Sequence, residues 1–248
     1  MTSRELFQAG KLTEAIQALS AELRDNPSDS KRRTFLFELL CFAGDFDRAR
    51  KHLELLAKEN QKTGMGALLY EGLMNSERTR NETFEKKEYP FVPAGPSRGG
   101  VLNGTAFESI EDADPRIGAR LEVFTAGAYL WIPFEHIDSI TIEPPKRLRD
   151  LLWAPVLIHT AESFRGAELG ECLLPVLCPF SFKHPDDNVR LGRSTVWESE
   201  DSRDIPYGQK MFTVDGEDFP LLDIRKIEFH AAEAPAASAG EVGEASAS

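Results

Sequence analysis

The histidines are the first candidates for chemistry, because imidazole is a common metal ligand and general base in proteins. The chain contains five of them: His52, His136, His159, His184 and His230. No two have the spacing of a metal site. The best combination of histidine and carboxylate, His184-Pro-Asp-Asp187, falls in a polar stretch that favours a solvated turn over a site of mixed ligands. The sequence therefore predicts no metal ion.

The cysteines are the second candidates, as nucleophiles. There are three: Cys41, Cys172 and Cys178. No histidine is paired with any of them along the chain in the way that cysteine catalysis requires, although a partner distant in sequence stays open. Buried cysteines behave as small apolar residues, which favours a structural role. A Gly-x-Ser-x-Gly turn for a serine nucleophile is also missing from the sequence. We expect no catalytic residue, no cofactor and no enzyme activity.

Acidic residues cluster twice, in Glu111-Asp-Ala-Asp114 and in Trp197-Glu-Ser-Glu-Asp-Ser-Arg-Asp204. Neither cluster has the spacing of a calcium loop. The first predicts a solvated turn and the second a mobile polar loop. Four arginines lie close to an aspartate or to the end of a predicted strand, which indicates structural ion pairs. They are Arg116, Arg149, Arg193 and Arg225.

Charge is distributed unevenly along the 248 residues, which carry a formal net charge of −12. Residues 1–88 contain 15 Lys and Arg against 15 Asp and Glu, so residues 89–248, with 14 against 26, hold all of the excess. A nucleic-acid surface needs clustered positive charge. We therefore expect no nucleic-acid partner. The absence of a long apolar run and of a secretory signal predicts no membrane association and a cytoplasmic protein.

An internal repeat organises the first sixty residues. Six positions recur at an offset of 34: Leu6, Ala9, Gly10, Leu12, Ala15 and Leu19 match Leu40, Ala43, Gly44, Phe46, Ala49 and Leu53. This is the period of a tetratricopeptide-type helix hairpin. Gly10 and Gly44 suit the left-handed turn that ends a helix, and Asp45 suits the start of the next one. Two hairpins need a cap, which a further helix over about 66–84 supplies. A plain helical bundle is the alternative.

The second part of the chain has the signals of antiparallel β-structure. Apolar residues alternate with polar ones on either side of Ala126-Gly127, a hairpin-sized interruption, and again on either side of Asp215-Gly216. Further strands are predicted at 154–160, 172–178, 189–197, 210–214 and 221–229. The many aromatic and β-branched residues predict a twisted sheet curled into a small, SH3-like barrel.

The fold class predicted is therefore α+β, with tetratricopeptide-like helical hairpins followed by a β-rich antiparallel domain. We place the helical domain at residues 1–88 and the β-rich domain at 105–230. Between them, residues 89–104 form a linker in which three prolines and four glycines prevent regular structure. Residues 231–248, rich in Ala, Ser and Glu, are predicted to be disordered.

A set of short motifs runs through the second part of the chain. They include Asp112-Ala-Asp-Pro-Arg-Ile-Gly118, Leu121-Glu122, Tyr129, Trp131-Ile-Pro-Phe134, Glu143-Pro-Pro145, Leu148-Arg-Asp-Leu-Leu-Trp153, Leu191-Gly-Arg193, Trp197 and Leu222-Asp-Ile-Arg225. Together with the helical repeat, they resemble the ImpE family, also called the SciE or TagJ family, of type VI secretion accessory proteins. The resemblance covers about residues 1–230.

The resemblance implies a bacterial, cytoplasmic, non-enzymatic adaptor that is associated with the contractile sheath. It implies as partners the small sheath subunit, bound through its N-terminal helix, and the ClpV ATPase, whose recycling of the sheath the protein would influence. A helical groove is an established receptor for an amphipathic helix. The alternative is an enzyme or small-molecule-binding protein with a site in the β-rich domain, which would need a cleft of ionisable groups with perturbed pKa values.

The sequence leaves the binding surface and the oligomeric state open. One candidate surface is the inner face of the first helix of each hairpin, which includes Arg33, Phe35 and Glu38. The other is the exposed side of the central sheet.

Overall fold

The computed structural model of the protein describes residues 1–58, 61–90, 98–166 and 168–230. The tail predicted to be disordered, 231–248, lies outside these residues. The helices are α1 (Ser3–Gln8), α2 (Leu12–Asp25), α3 (Ser30–Phe42), α4 (Phe46–Ala57), α5 (Gln61–Lys86) and the short α6 (Asp187–Arg190). No helix in the described part of the chain is both long and apolar enough to cross a membrane.

The four N-terminal helices form the two predicted hairpins, α1 with α2 and α3 with α4. Gly10 and Gly44 occupy equivalent turns, with left-handed φ angles of +77° and +69°. This conformation is costly for residues with a Cβ atom, which explains glycine at both positions. The Asp45 carboxylate accepts a hydrogen bond from the Arg48 backbone N–H at 3.3 Å, so it caps α4 as expected.

Helix α5 follows the second hairpin and is longer than the predicted cap at residues 66–84. It packs against α4 on one side and along strand β5 on the other. The backbone of α5 also lies close to the turn between β4 and β5, because a Cβ atom on Gly72 would lie 3.3 Å from the Gly127 Cα atom. Helix α5 is therefore the element that joins the helices to the sheet.

The described residues of the β-rich part form three antiparallel sheets. The strands are β1 (Gly100–Leu102), β2 (Thr105–Phe107), β3 (Ile110–Asp112), β4 (Arg120–Thr125), β5 (Ala128–Pro133), β6 (Ile137–Ile142), β7 (Trp153–Thr160), β8 (Gly170–Pro175), β9 (Thr195–Glu200), β10 (Arg203–Gly208), β11 (Met211–Val214), β12 (Glu217–Pro220) and β13 (Lys226–Phe229). The largest sheet has the order β2-β1-β13-β6-β7-β8-β4-β5. Strands β12-β11-β3 form the second sheet and β10-β9 the third.

The eight-stranded sheet is open, which corrects the prediction of a small barrel. Its end strands β2 and β5 do not pair with each other among the described residues. The three-stranded sheet covers its inner face instead, and a single apolar core lies between them. That core includes Val123, Ile140, Ile158 and Phe212, all fully buried. The sheet thus buries one face by layering rather than by closure.

Several strand boundaries differ from the prediction. Strand β1 lies inside the proposed linker, because Gly100 packs against the Glu228 backbone, where a Cβ atom would come within 2.2 Å of the Glu228 carbonyl oxygen. The statement that this stretch lacks regular structure is wrong for residues 100–102. Residues 91–97 of the linker lie outside the described residues, and the domain bounds stay a prediction.

Two other predicted strands are interrupted. Val189 lies in α6 rather than in a strand over 189–197. A 3₁₀ turn over Leu221–Asp223 separates β12 from β13, so 221–229 is not one strand. The predicted hairpins at Ala126-Gly127 and Asp215-Gly216 are both present, with left-handed φ angles in each turn.

A second apolar core fills the helical part and continues into the β-rich part. Phe124, Trp153 and Leu191 pack in the same cluster as Leu12, Leu40 and the other helical leucines. The two parts of the chain are therefore not separated by a polar interface.

The turns of both helical hairpins dock on one segment, residues 181–193. A Cβ atom on Gly10 would lie 2.5 Å from Asn188 Oδ1, and one on Gly44 would lie 2.3 Å from the Phe182 ring. Arg193 completes this contact by donating to the Phe7 and Gln8 carbonyl oxygens at 2.7 and 2.9 Å. These bonds satisfy acceptors at the C-terminal end of α1.

Candidate functional site

A buried ionic cluster connects α5 to both larger sheets. Arg80 of α5 donates two hydrogen bonds of 2.8 Å to the Glu122 carboxylate in β4. Lys210, which immediately precedes β11, lies 2.7 Å from the Glu122 Oε2 atom and also contacts Asp112 of β3. Each of these four residues is at most 3% exposed. Two cations thus alternate with two carboxylates in the interior.

Polar groups around the cluster extend it into the aromatic strand β5. The Tyr129 hydroxyl donates to Glu122 at 2.5 Å and accepts a hydrogen bond from the Trp131 indole N–H. On the helix side, Glu77 lies 3.7 Å from Arg80 and accepts from the Trp153 indole N–H at 3.0 Å. Both tryptophans are buried core residues whose N–H groups are satisfied by this network.

The cluster shifts the pKa values of its members in opposite directions. Burial alone would raise the pKa of Glu122, but the charges of Arg80 and Lys210 outweigh it and hold this pKa below its usual range. Burial raises the pKa of Asp112 to about 7, with Lys210 opposing the shift. Burial would lower the pKa of Lys210, but Asp112 and Glu122 raise it. Glu122 and its two cationic partners, Arg80 and Lys210, are therefore ionised at neutral pH.

The cluster has perturbed pKa values but no access for a substrate. A small cavity of about 30 Å³ borders Arg80 and Glu77, about the space of one water molecule. The cluster is therefore not the cleft that the enzyme alternative requires. It also corrects the prediction for the first acidic cluster, since Asp112 and Asp114 are 3% and 0% exposed rather than solvated.

The sequence-predicted arginines have structural partners. Arg116 forms an ion pair with Asp114 at 2.6 Å, and Arg149 donates to the Tyr70 hydroxyl at 2.8 Å. Arg225 donates to the backbone carbonyls of Leu222 and Ile224 rather than pairing with Asp223. Arg149 thereby connects the segment after β6 to α5, whereas Arg116 and Arg225 stabilise their own turns, and all three contacts are structural.

The histidines and cysteines were the first candidates for chemistry in the sequence. Within the described ranges, no three or more His, Cys, Asp or Glu side chains are arranged to hold a metal ion. The three cysteines are buried and free. Burial raises the pKa of the Cys178 thiol to about 12 and that of Cys41 well above its usual value, so neither is a thiolate at neutral pH.

An open apolar groove of about 600 Å³ lies between α5 and the outer face of the eight-stranded sheet. We call it the α5 groove. Its lining residues are Leu69 and Leu73 of α5, residues 124–127 of the β4–β5 hairpin, Thr141, Glu143, Arg149, residues 155–157 of β7 and residues 171–173 of β8. Helix α5 packs on β5 and on Trp153 at the start of β7, and it leaves the sheet exposed at Leu157 and Glu171.

Two exposed leucines border the α5 groove. Leu69 is 55% exposed on the helix side and Leu157 is 38% exposed on the sheet side. Charged groups lie around this apolar surface, with Glu143 and Glu171 on the sheet and Arg149 beside α5. A concave apolar surface with a few charges at its margin is the usual receptor for an amphipathic helix.

The three residues predicted to bind a partner are half-buried and contact different neighbours. Arg33 donates to the Pro27 carbonyl oxygen, and the Phe35 ring lies 5.6 Å from the Phe7 ring, edge to face. Glu38 faces the β-rich part, where burial raises its pKa to about 7 and the charge of Arg149 opposes the shift. The structure does not bring these side chains to one surface, and their role in binding stays a prediction.

The fold and the groove define a class of protein in which a tetratricopeptide hairpin module is fused to a layered β-rich domain. The sequence profile of the tetratricopeptide repeat matches residues 6–70, which confirms the predicted repeat. The profile described as ImpE protein matches residues 104–228. The chain belongs to the ImpE family.

Two known proteins resemble the chain over nearly its whole length. The type VI secretion system accessory component TagJ of Pseudomonas aeruginosa is 29% identical, over 94% of this chain and 93% of that protein. The crystal structure of protein VPA1032 from Vibrio parahaemolyticus has a TM-score of 0.81 and 22% identity, covering 93% of this chain and 98% of that one. The second likeness supports the α+β fold.

Proposed function

We propose that this protein is a non-enzymatic accessory component of the type VI secretion system. Membership of the ImpE family and the likeness to the Pseudomonas aeruginosa accessory component support this role. The burial of the ionic cluster and the raised pKa values of the Cys41 and Cys178 thiols favour a non-enzymatic role. The protein acts in the bacterial cytoplasm, where the sheath is assembled.

The partner is the small sheath subunit, whose N-terminal helix lies in the α5 groove. The exposed leucines on both walls of the groove carry this proposal, because they would be covered by the apolar stripe of an amphipathic helix. Binding at this end of the sheath subunit influences sheath assembly or the recycling of the sheath by ClpV. Tetratricopeptide hairpins usually present surfaces to peptides or helices, which suits the same role.

A pair of adjacent leucines provides the test. Leu69 lines the groove, whereas Leu68 is 75% exposed and does not line it. The Leu69→Glu variant places a charge against the apolar face of the bound helix and is expected to weaken binding of the purified small sheath subunit by about tenfold or more. The Leu68→Glu variant makes the same change one residue earlier and is expected to bind like the wild type.

The result is measured by titration of the sheath subunit with each folded variant. Equal affinity of Leu69→Glu and Leu68→Glu would reject the α5 groove as the site. Absence of binding by the folded wild type would reject the sheath subunit as the partner.

Helix α3, which carries Arg33, Phe35 and Glu38, is the competing site for the same partner. Charge-reversing variants Arg33→Glu and Glu38→Lys separate the two, since neither residue lines the α5 groove. Binding that survives both changes but is lost with Leu69→Glu assigns the partner to the groove. The converse pattern assigns it to α3.

A further inference from the structure

The third sheet is a two-stranded ribbon that stands apart from the other sheets. Strands β9 and β10 pair over six residues and are joined by Asp201 and Ser202, whose φ angles of +48° and +66° form a tight turn. This hairpin replaces the mobile polar loop predicted for 197–204. Among the described strands β9 pairs only with β10, so its other edge is open.

The register identifies the backbone groups on this open edge. In a hairpin with a two-residue turn, the flanking pair Glu200 and Arg203 exchanges hydrogen bonds, and hydrogen-bonded pairs then alternate. Pro206, which has no N–H, lies opposite Trp197, as expected of a pair that is not hydrogen-bonded. The N–H and C=O groups of Trp197 and Ser199 therefore point away from β10.

The outer edge of β10 is already occupied. The Gly208 carbonyl oxygen accepts a hydrogen bond from the Cys178 backbone N–H at 2.8 Å, and the Gly208 N–H donates to the Ser181 hydroxyl at 2.8 Å. Pro206 removes a further donor from that edge. Of the two edges of the ribbon, only that of β9 can accept another strand.

Side chains on the two faces of β9 differ in chemistry. Trp197 and Ser199 lie on one face, and Trp197 is the one aromatic residue among the large apolar side chains exposed in the described part of the chain, at 42%. Glu198 and Glu200 lie on the other face, because strand side chains alternate. An added strand would meet an apolar ring on one face and carboxylates on the other.

The ribbon is held in place before any partner arrives. Lys87 at the end of α5 forms an ion pair of 2.8 Å with Asp201 in the turn. The Ser199 hydroxyl donates to Asp204 across the ribbon at 2.7 Å, and His184 lies 3.4 Å from Glu198. Little ordering of this ribbon is needed on binding, which favours affinity.

We propose that the open edge of β9 is a docking site for an extended segment of a partner protein in which basic and apolar residues alternate. The segment adds a third strand to the ribbon, places its apolar residues beside Trp197 and its basic residues beside Glu198 and Glu200. A second copy of the same edge would set like charges against one another, which disfavours pairing between two ribbons. The edge shares no residue with the α5 groove.

The probe is a capped synthetic peptide that alternates lysine and valine over seven residues, added to the full-length protein at low salt. Trp197 is exposed whereas Trp131 and Trp153 are buried, so its fluorescence reports binding. We expect saturable binding with a blue-shifted emission. Two control peptides are expected to bind at least about tenfold more weakly. One has the same composition but places its lysines and valines in two blocks, and the other alternates glutamate and valine.

Substitutions at Ser199 test the strand geometry. Ser199→Pro removes an outward N–H group without removing a backbone hydrogen bond to β10. It is expected to weaken binding of the lysine-valine peptide by about tenfold, whereas Ser199→Ala is expected to bind with the wild-type affinity. A lysine-valine peptide N-methylated at alternate residues tests the same bonds on the wild-type protein, should the proline variant fail to fold. Equal binding of the alternating, blocked and N-methylated peptides would overturn the proposal, because attraction of charge alone would then explain it.

Discussion

The Arg80–Glu122 pair is expected to be one of the strongest single contributions to stability in the chain. Arg80→Met removes both 2.8 Å hydrogen bonds and leaves Glu122 with Lys210 as its remaining buried cation. It also leaves Glu77 without its nearest cation. Removing one partner of a buried ion pair costs about 3–5 kcal/mol, because the other charge stays in the interior. We expect a loss of this size in the free energy of unfolding.

A partly exposed Arg–Glu pair, joined by a single hydrogen bond, supplies the control. Arg50 lies 3.0 Å from Glu71, and their side chains are 27% and 32% exposed. Arg50→Met makes the same chemical change where solvent reaches both side chains and is expected to cost about 1 kcal/mol or less. Both variants are measured by urea denaturation at neutral pH, followed by far-ultraviolet circular dichroism.

The double variant Arg80→Met/Glu122→Gln isolates the interaction itself. If the two residues act as a pair, the double variant is less destabilised than the sum of the single variants, by about 1–3 kcal/mol. A loss for Arg80→Met no greater than that for Arg50→Met would refute the view that burial makes this pair important.

Two further predictions concern single positions. Burial raises the pKa of Glu38 to about 7, above the value of 4.5 for an unperturbed glutamate, so the native state binds the extra proton between these values. Wild-type stability therefore falls as pH rises through this window, and Glu38→Gln is expected to flatten that part of a stability profile against pH; an unchanged profile contradicts the assignment. Gly44→Ala forces a left-handed alanine against Phe182 and should lower the free energy of unfolding by about 1–3 kcal/mol. Gly66→Ala, within α5 and with open space around it, should raise the free energy of unfolding by about 0.5–1 kcal/mol, and equal effects at Gly44 and Gly66 would contradict the docked turn.

The sequence predicts local features of this fold well. The repeat at offset 34, the left-handed glycines and the two tight hairpins depend on residues close together in the chain, and each is present. The open sheet was missed because closure depends on whether the end strands meet, which no local pattern encodes. Strand β1 was missed because it pairs with β13, more than 120 positions away. Its Gly100 is required by close packing against β13, whereas glycine in a sequence usually indicates a turn.

The ionic cluster was missed for a similar reason. Lys210 and Asp112 are separated by 98 positions, and Arg80 and Glu122 by 42. A signal was nevertheless present at Glu122, a carboxylate on the same face of β4 as Phe124, within a strand of otherwise apolar interior residues. An ionisable residue in such a position must have a buried partner. The α5 groove has no counterpart in the sequence, because it results from how far α5 extends over the sheet.

The docking of both hairpin turns on residues 181–193 has a consequence for the evolution of the repeat. Tetratricopeptide arrays usually gain or lose units freely, since each unit contacts only its neighbours. Here Gly10 and Gly44 both contact residues 181–193. Inserting a unit between the two hairpins, or deleting one hairpin, would therefore remove at least one turn from its contact with that segment. This docking therefore disfavours a change in the number of hairpins, and variation among relatives is expected in loop lengths and surface residues rather than in repeat count.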